Sequence, residues 1–120
     1  MIPVMYKIKL AVVDDHALFR RGMIALLHEF EQFSVEFEAE NGKELLNKLK
    51  STPVDIVLLD LNMPVLNGYE VVKKMSVKYP EIKIVILSMH NDASIVEALL
   101  QAGAHGFLMK NQDIDIVIEC

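Results

Sequence analysis

Apolar runs and amphipathic stretches alternate along the whole chain. Ile8–Val13 (IKLAVV) reads as a strand that stops on Asp14-Asp15. Behind it, Leu18, Phe19, Met23, Leu26, Leu27 and Phe30 recur at helical spacing within residues 16–30, predicting a helix with those residues on its core face. Residues 34–40 (SVEFEAE) alternate Val35, Phe37 and Ala39 with glutamates, the pattern of a strand half open to water near a sheet edge. Asn41-Gly42 breaks it, and residues 43–50 (KELLNKLK) give a short helix with Leu45, Leu46 and Leu49 inward. Residues 56–60 (IVLLD) show no alternation at all, so this strand is buried on both faces; it ends on Asp60, and Pro64 bars its continuation. A helix over residues 68–79 ends at Pro80. Residues 83–89 (KIVILSM) form another buried strand, and residues 92–103 a helix with Gly103 as its C-cap. Residues 106–110 (GFLMK) make a last short strand ending on Lys110. Residues 111–120 fit two readings: DIDIVIE alternates like a strand, while Ile114, Val117 and Ile118 fit the face of a closing helix.

Strand and helix therefore alternate five times, with no repeat of sequence and no linker. Strands separated by helices of this length pair in parallel, joined by right-handed crossovers, with helices on both faces. A length of 120 residues suits one domain. The net charge of −5, with no Lys/Arg-rich run, disfavours nucleic acid as a direct partner of this surface. One cysteine, Cys120, permits no internal disulfide, and the N-terminus lacks signal-peptide layout; both suit the cytoplasm. No apolar run reaches membrane-spanning length.

In an open parallel sheet, ligands bind beyond the carboxyl ends of the strands, where the strand order reverses. At those ends the sequence puts Asp14, Asp15, Asp60, Ser88 and Lys110. Three converging carboxylates repel one another. A hard divalent cation with oxygen ligands and room for water, Mg²⁺, removes that conflict. With a lysine ammonium and a serine hydroxyl added, the set forms a receptor for a transferring phosphoryl group, with Asp60 as nucleophile.

Each residue also has a plain explanation. Asp14 or Asp15 suits a helix N-cap, and His16 a polar position beside it. Arg20 and Arg21 suit a solvated helix face, and His90 a surface loop. Asn67-Gly68 suits a positive φ on the way into the third helix. The methionines suit core filling. The joint placement of three aspartates, a serine and a lysine at strand ends is what these explanations leave over.

The motifs VVDDH (residues 12–16), IVLLDLNMPVLNG (56–68), VILSMH (85–90) and AGAHGFLMK (102–110) resemble, in order and over almost the whole chain, the receiver domain of two-component response regulators. VVDDH, ALFRRGMIALL and LSMH most resemble the LuxR-type subgroup, whose members usually carry a helix-turn-helix domain behind the receiver. The resemblance implies a flavodoxin-like (CheY-like) doubly wound fold with a five-stranded parallel sheet in the order 2-1-3-4-5. It implies Asp60 as phosphoacceptor, and Mg²⁺ held by Asp14, Asp15, Asp60 and the backbone carbonyl of Asn62. Ser88 donates to the phosphoryl group, Lys110 pairs with the phosphorylated carboxylate, and Phe107 is the aromatic switch that follows Ser88. Asn62 and His90 stand where the lifetime of the phosphorylated state is tuned.

The same resemblance implies a sensor histidine kinase as partner, phosphorylation-dependent homodimers, and DNA only through an output domain absent from this chain. The expectation is one receiver domain over residues 1–120, part of a longer regulator; a stand-alone or phosphorylation-independent receiver that acts as a docking module is the alternative. A phosphohydrolase of the haloacid dehalogenase kind would need a carboxylic acid two residues after Asp60, where Asn62 stands. A flavin mononucleotide binder would need a hydroxyl-rich phosphate loop in place of Asp14-Asp15-His16.

Overall fold

A computed structural model describes residues 7–61, 67–88 and 93–109, leaving out the side chain of Ala93. In chain order the elements are β1 (Ile8–Val13), α1 (Ala17–Leu27), β2 (Phe33–Ala39), α2 (Gly42–Leu49), β3 (Ile56–Asp60), α3 (Gly68–Lys78), β4 (Lys83–Ser88), α4 (Ala93–Ala102) and β5 (Gly106–Met109). All strand pairs are parallel, in the order β2-β1-β3-β4-β5, so the fold is the flavodoxin-like one the resemblance implies. The segment over residues 111–120, the one with two readings, lies outside the described residues.

Strand parity sorts the core into two layers. Leu10 and Val12 of β1, Leu58 of β3 and Leu87 of β4 pack with Met23 and Leu27 of α1. The alternate residues, Ala11, Val13, Val57, Leu59, Ile84 and Ile86, pack with Leu45 of α2, Val72 and Met75 of α3 and Leu99 of α4. That is why β3 reads as an unbroken apolar run: side chains on both faces leave water. β2 is the edge strand, half-buried apart from Ala39 and its exposed glutamates, as its alternation predicts.

Two local expectations need correction. Leu18 does not join the core face of α1; it is 86% exposed, and Leu26 is also exposed, while Met23 and Leu27 carry the buried stripe. The apolar residues of this helix span more of its circumference than the sheet can cover. Gly68 does not need a positive φ: of the described glycines only Gly103 has one (125°), which confirms Gly103 as the left-handed residue ending α4. Gly68 is instead the first residue of α3, behind Asn67, whose side-chain oxygen caps the helix by accepting from Glu70 N at 3.0 Å. Its requirement is space: a Cβ there would lie 2.9 Å from Leu61 Cα and 3.0 Å from the carbonyl oxygens of Asp60 and Leu61.

Candidate functional site

The order of the sheet reverses between β1 and β3, and the carboxyl ends of those two strands carry Asp14 and Asp60. Both are buried, at 0% and 3% exposure, and Ser88 is buried at the end of the neighbouring β4. In the register of β3 with β4, Asp60 lies opposite Leu87, so Ser88 stands one residue beyond it at the same edge. Ser88 in turn lies opposite Met109 of β5. Phe107 is half-buried and packs against the core layer shared by α2, α3 and α4. Asn62, His90 and Lys110 lie outside the described residues.

Asp14, Asp15, His16 and Asp60 form one group of donors, a carboxylate oxygen or a ring nitrogen from each, all within 4.8 Å of one another. Three carboxylate oxygens in so small a space suit a hard cation, whose charge offsets their mutual repulsion. The cluster could therefore hold a metal ion, and its oxygen-rich donor set fits magnesium.

The loop between β1 and α1 is folded around Asp14. Asp14 N donates to Ala39 O at 3.0 Å, tying it to the end of β2. Asp14 Oδ1 accepts from His16 N at 2.7 Å. The N-cap of α1 is thus His16, not an aspartate, and its own side chain caps nothing. Its ring turns towards the carboxylates instead: Nδ1 lies 3.1 Å from Asp14 Oδ1 and 3.3 Å from Asp15 Oδ1.

Arg20 is the residue the sequence reading misplaced. Its side chain is not solvated but 11% exposed. Nη1 donates to the backbone carbonyl of Asp14 at 2.5 Å, and Nε donates to Glu38 Oε1 at 2.5 Å. One guanidinium therefore joins α1, the acidic loop and β2. The signal was available: Arg20 is four residues after His16, on the first turns of a helix that packs beside a strand of alternating glutamates. Pairing it with Glu38 required knowing that β2 runs alongside β1, with Glu38 opposite Val12.

Two backbone bonds hold Leu61 and Gly68 beside Asp60. Leu61 N donates to Leu87 O at 3.0 Å, and Gly68 N donates to Leu61 O at 2.9 Å. These bonds fix the start of α3 against the phosphoacceptor candidate, with Gly68 at the point of contact.

Comparison with known proteins agrees with this geometry. The sequence pattern of the response regulator receiver domain matches residues 10–119. The transcriptional regulatory protein DegU of Brevibacillus brevis is 37% identical over 113 residues, covering 94% of this chain and 48% of that protein. The signal receiver domain of the response regulator NarL from Mycobacterium tuberculosis superposes with a TM-score of 0.88 at 32% identity, covering 96% of both chains. A LuxR-family two-component response regulator from Aurantimonas gives a TM-score of 0.89 at 26% identity, covering 94% of this chain and 81% of the other. The chain spans about half the length of the curated relatives it matches.

Proposed function

This chain belongs to the response regulator receiver family, in its LuxR-type branch, and on that premise we propose that Asp60 accepts a phosphoryl group from a phosphohistidine of a sensor kinase. The observation that carries the proposal is the buried Asp60 carboxylate at the mouth of β3, in one donor cluster with Asp14 and Asp15, with Ser88 buried at the next strand end. An aspartate buried among other carboxylates is costly to keep for packing alone. The same arrangement serves a reaction in which a cation and a phosphoryl group arrive together.

In that reaction a carboxylate oxygen of Asp60 forms a bond to phosphorus while the bond from phosphorus to the kinase imidazole breaks. The imidazole leaves with the bonding pair, and an acyl phosphate remains on Asp60. Magnesium, when bound, supplies charge neutralisation for the phosphoryl oxygens. Asp14 and Asp15, with Asp60 and the Asn62 carbonyl, would hold it. Ser88 donates its hydroxyl to a phosphoryl oxygen, and Lys110 pairs with the charge that the transfer adds. Asn62 and His90, two residues beyond Asp60 and Ser88, set how long the acyl phosphate survives water. The domain is a switch and not a turnover enzyme: the phosphoryl group stays on the protein and is lost by slow hydrolysis.

Phosphorylation draws Ser88 towards the phosphoryl group, and Phe107 follows into the space it leaves. The face around β5 changes, and with it homodimer formation. In the whole protein, a cytoplasmic regulator of transcription, a DNA-binding output domain reads that change. Its relatives' length supports such a domain, since this chain covers only 48% of DegU.

The test is the intact mass of the protein after incubation with acetyl phosphate, with and without Mg²⁺. One phosphoryl adduct is expected, dependent on Mg²⁺ and absent from Asp60→Asn. An adduct of equal yield in Asp60→Asn, or none on the folded wild-type protein, overturns the proposal and favours a docking module.

A further inference from the structure

We infer that His16 is a fourth side-chain ligand of the acidic site, through Nδ1, and that it gives the site an affinity for nitrogen-seeking transition ions such as Ni²⁺ and Co²⁺ alongside Mg²⁺. This inference rests on the proposed metal site and adds His16 to the ligand set of Asp14, Asp15, Asp60 and the Asn62 carbonyl.

The geometry is that of a coordination sphere. Two cis ligands of an octahedral ion with bonds of about 2.1 Å lie about 3.0 Å apart. His16 Nδ1 is 3.1 Å from Asp14 Oδ1 and 3.3 Å from Asp15 Oδ1. The ring nitrogen thus spans two cis edges with carboxylates from different residues. The whole donor set, Asp60 included, fits within 4.8 Å, close to the separation of about 4.2 Å expected for trans ligands at that bond length. Small side-chain rotations close the difference.

The backbone also aims the ring. His16 N is fixed to Asp14 Oδ1, and its carbonyl accepts from Arg20 N at 3.0 Å in the first turn of α1. The Cα therefore cannot drift from the cluster, while the ring is 66% exposed with Nδ1 facing both carboxylates. Oxygen donors alone favour Mg²⁺, Ca²⁺ or Mn²⁺; an added imidazole strengthens binding in the order that rises towards Ni²⁺. A ring that merely donates a hydrogen bond to the carboxylates would compete with every cation alike and leave the ratio of their affinities unchanged.

The experiment is calorimetric titration of the untagged protein with Mg²⁺ and with Ni²⁺, counting only the Ni²⁺ that excess Mg²⁺ displaces. It is run on the wild type, His16→Ala and His16→Gln, with folding checked by circular dichroism. The ratio of Ni²⁺ to Mg²⁺ affinity is expected to fall about tenfold or more in both variants. In parallel, the visible spectrum of bound Co²⁺ is expected to lose its nitrogen-ligand character in the variants. An unchanged ratio overturns the inference, including the case in which both affinities rise together. Wild-type protein that binds neither ion overturns it as well. Acetyl phosphate labelling of the wild type with Mg²⁺ reads the phosphoacceptor proposal separately, so either can fail while the other stands.

Discussion

Replacing Gly68 by alanine places a methyl group where the chain leaves no room. The new Cβ would lie 2.9 Å from Leu61 Cα and 3.0 Å from the carbonyl oxygens of Asp60 and Leu61. Ordinary carbon contacts begin at about 3.5 Å, so the start of α3 or the loop after Asp60 must move by about half an ångström. All three obstructing atoms are backbone, and Gly68 N is bonded to Leu61 O, so no side chain can turn aside to absorb the change. Overpacking of this kind costs about 1–3 kcal/mol, against a helix-propensity gain of at most about 1 kcal/mol for alanine. The net loss is up to about 2 kcal/mol, and the melting temperature falls by up to about 10 °C for a domain of this size. Gly22, on the exposed side of α1, is the control: a Cβ there meets nothing within 4 Å. Gly22→Ala should therefore raise stability by up to about 1 kcal/mol. Because the displaced atoms adjoin Asp60, labelling of Gly68→Ala by acetyl phosphate should slow by about tenfold, in keeping with the ~10²-fold penalty for a misplacement of about 1 Å. Thermal melts and initial labelling rates of the two variants decide the matter. A Gly68→Ala protein that melts at or above the wild type and labels at its rate would refute the steric account.

Three further outcomes are expected. Arg20→Ala should lose about 1–2 kcal/mol in chemical denaturation, chiefly from the bond to the Asp14 carbonyl, since the half-exposed Glu38 makes the ion pair itself worth little. It should also weaken Mg²⁺ binding, and Arg20→Lys, which cannot reproduce the two-armed geometry, should restore only part of either loss. Wild-type stability should rise by about 1.4 kcal/mol for each tenfold increase in Mg²⁺ above the dissociation constant, a rise that thermal melts would find beginning at higher Mg²⁺ in Asp15→Asn. Phe107→Ala should uncouple phosphorylation from dimerisation, read by sedimentation with and without acetyl phosphate; dimerisation that responds as in the wild type would remove Phe107 from the switch.

The sequence by itself determined the architecture and the placing of four candidate site residues at strand ends. Short continuous apolar runs such as residues 56–59, alternating with amphipathic stretches of helical length, read as strands buried on both faces and the helices that cover them, so a parallel, doubly wound sheet follows from the alternation. The same reading put Asp14, Asp15, Asp60 and Ser88 at strand ends, where they stand. What it could not decide depends on contacts between residues distant along the chain. Arg20 looked solvated because its partners, the Asp14 carbonyl and Glu38, become neighbours only when β2 pairs with β1. Gly68 looked like a turn residue because dipeptide chemistry reports φ, whereas its actual constraint is the approach of α3 to the backbone of Asp60 and Leu61. Leu18 looked like core because spacing gives a helix its apolar face but not the width of the surface that covers it. Local pattern fixes which elements form; only their packing fixes which polar groups meet, and in this protein the second set of contacts shapes the acidic site.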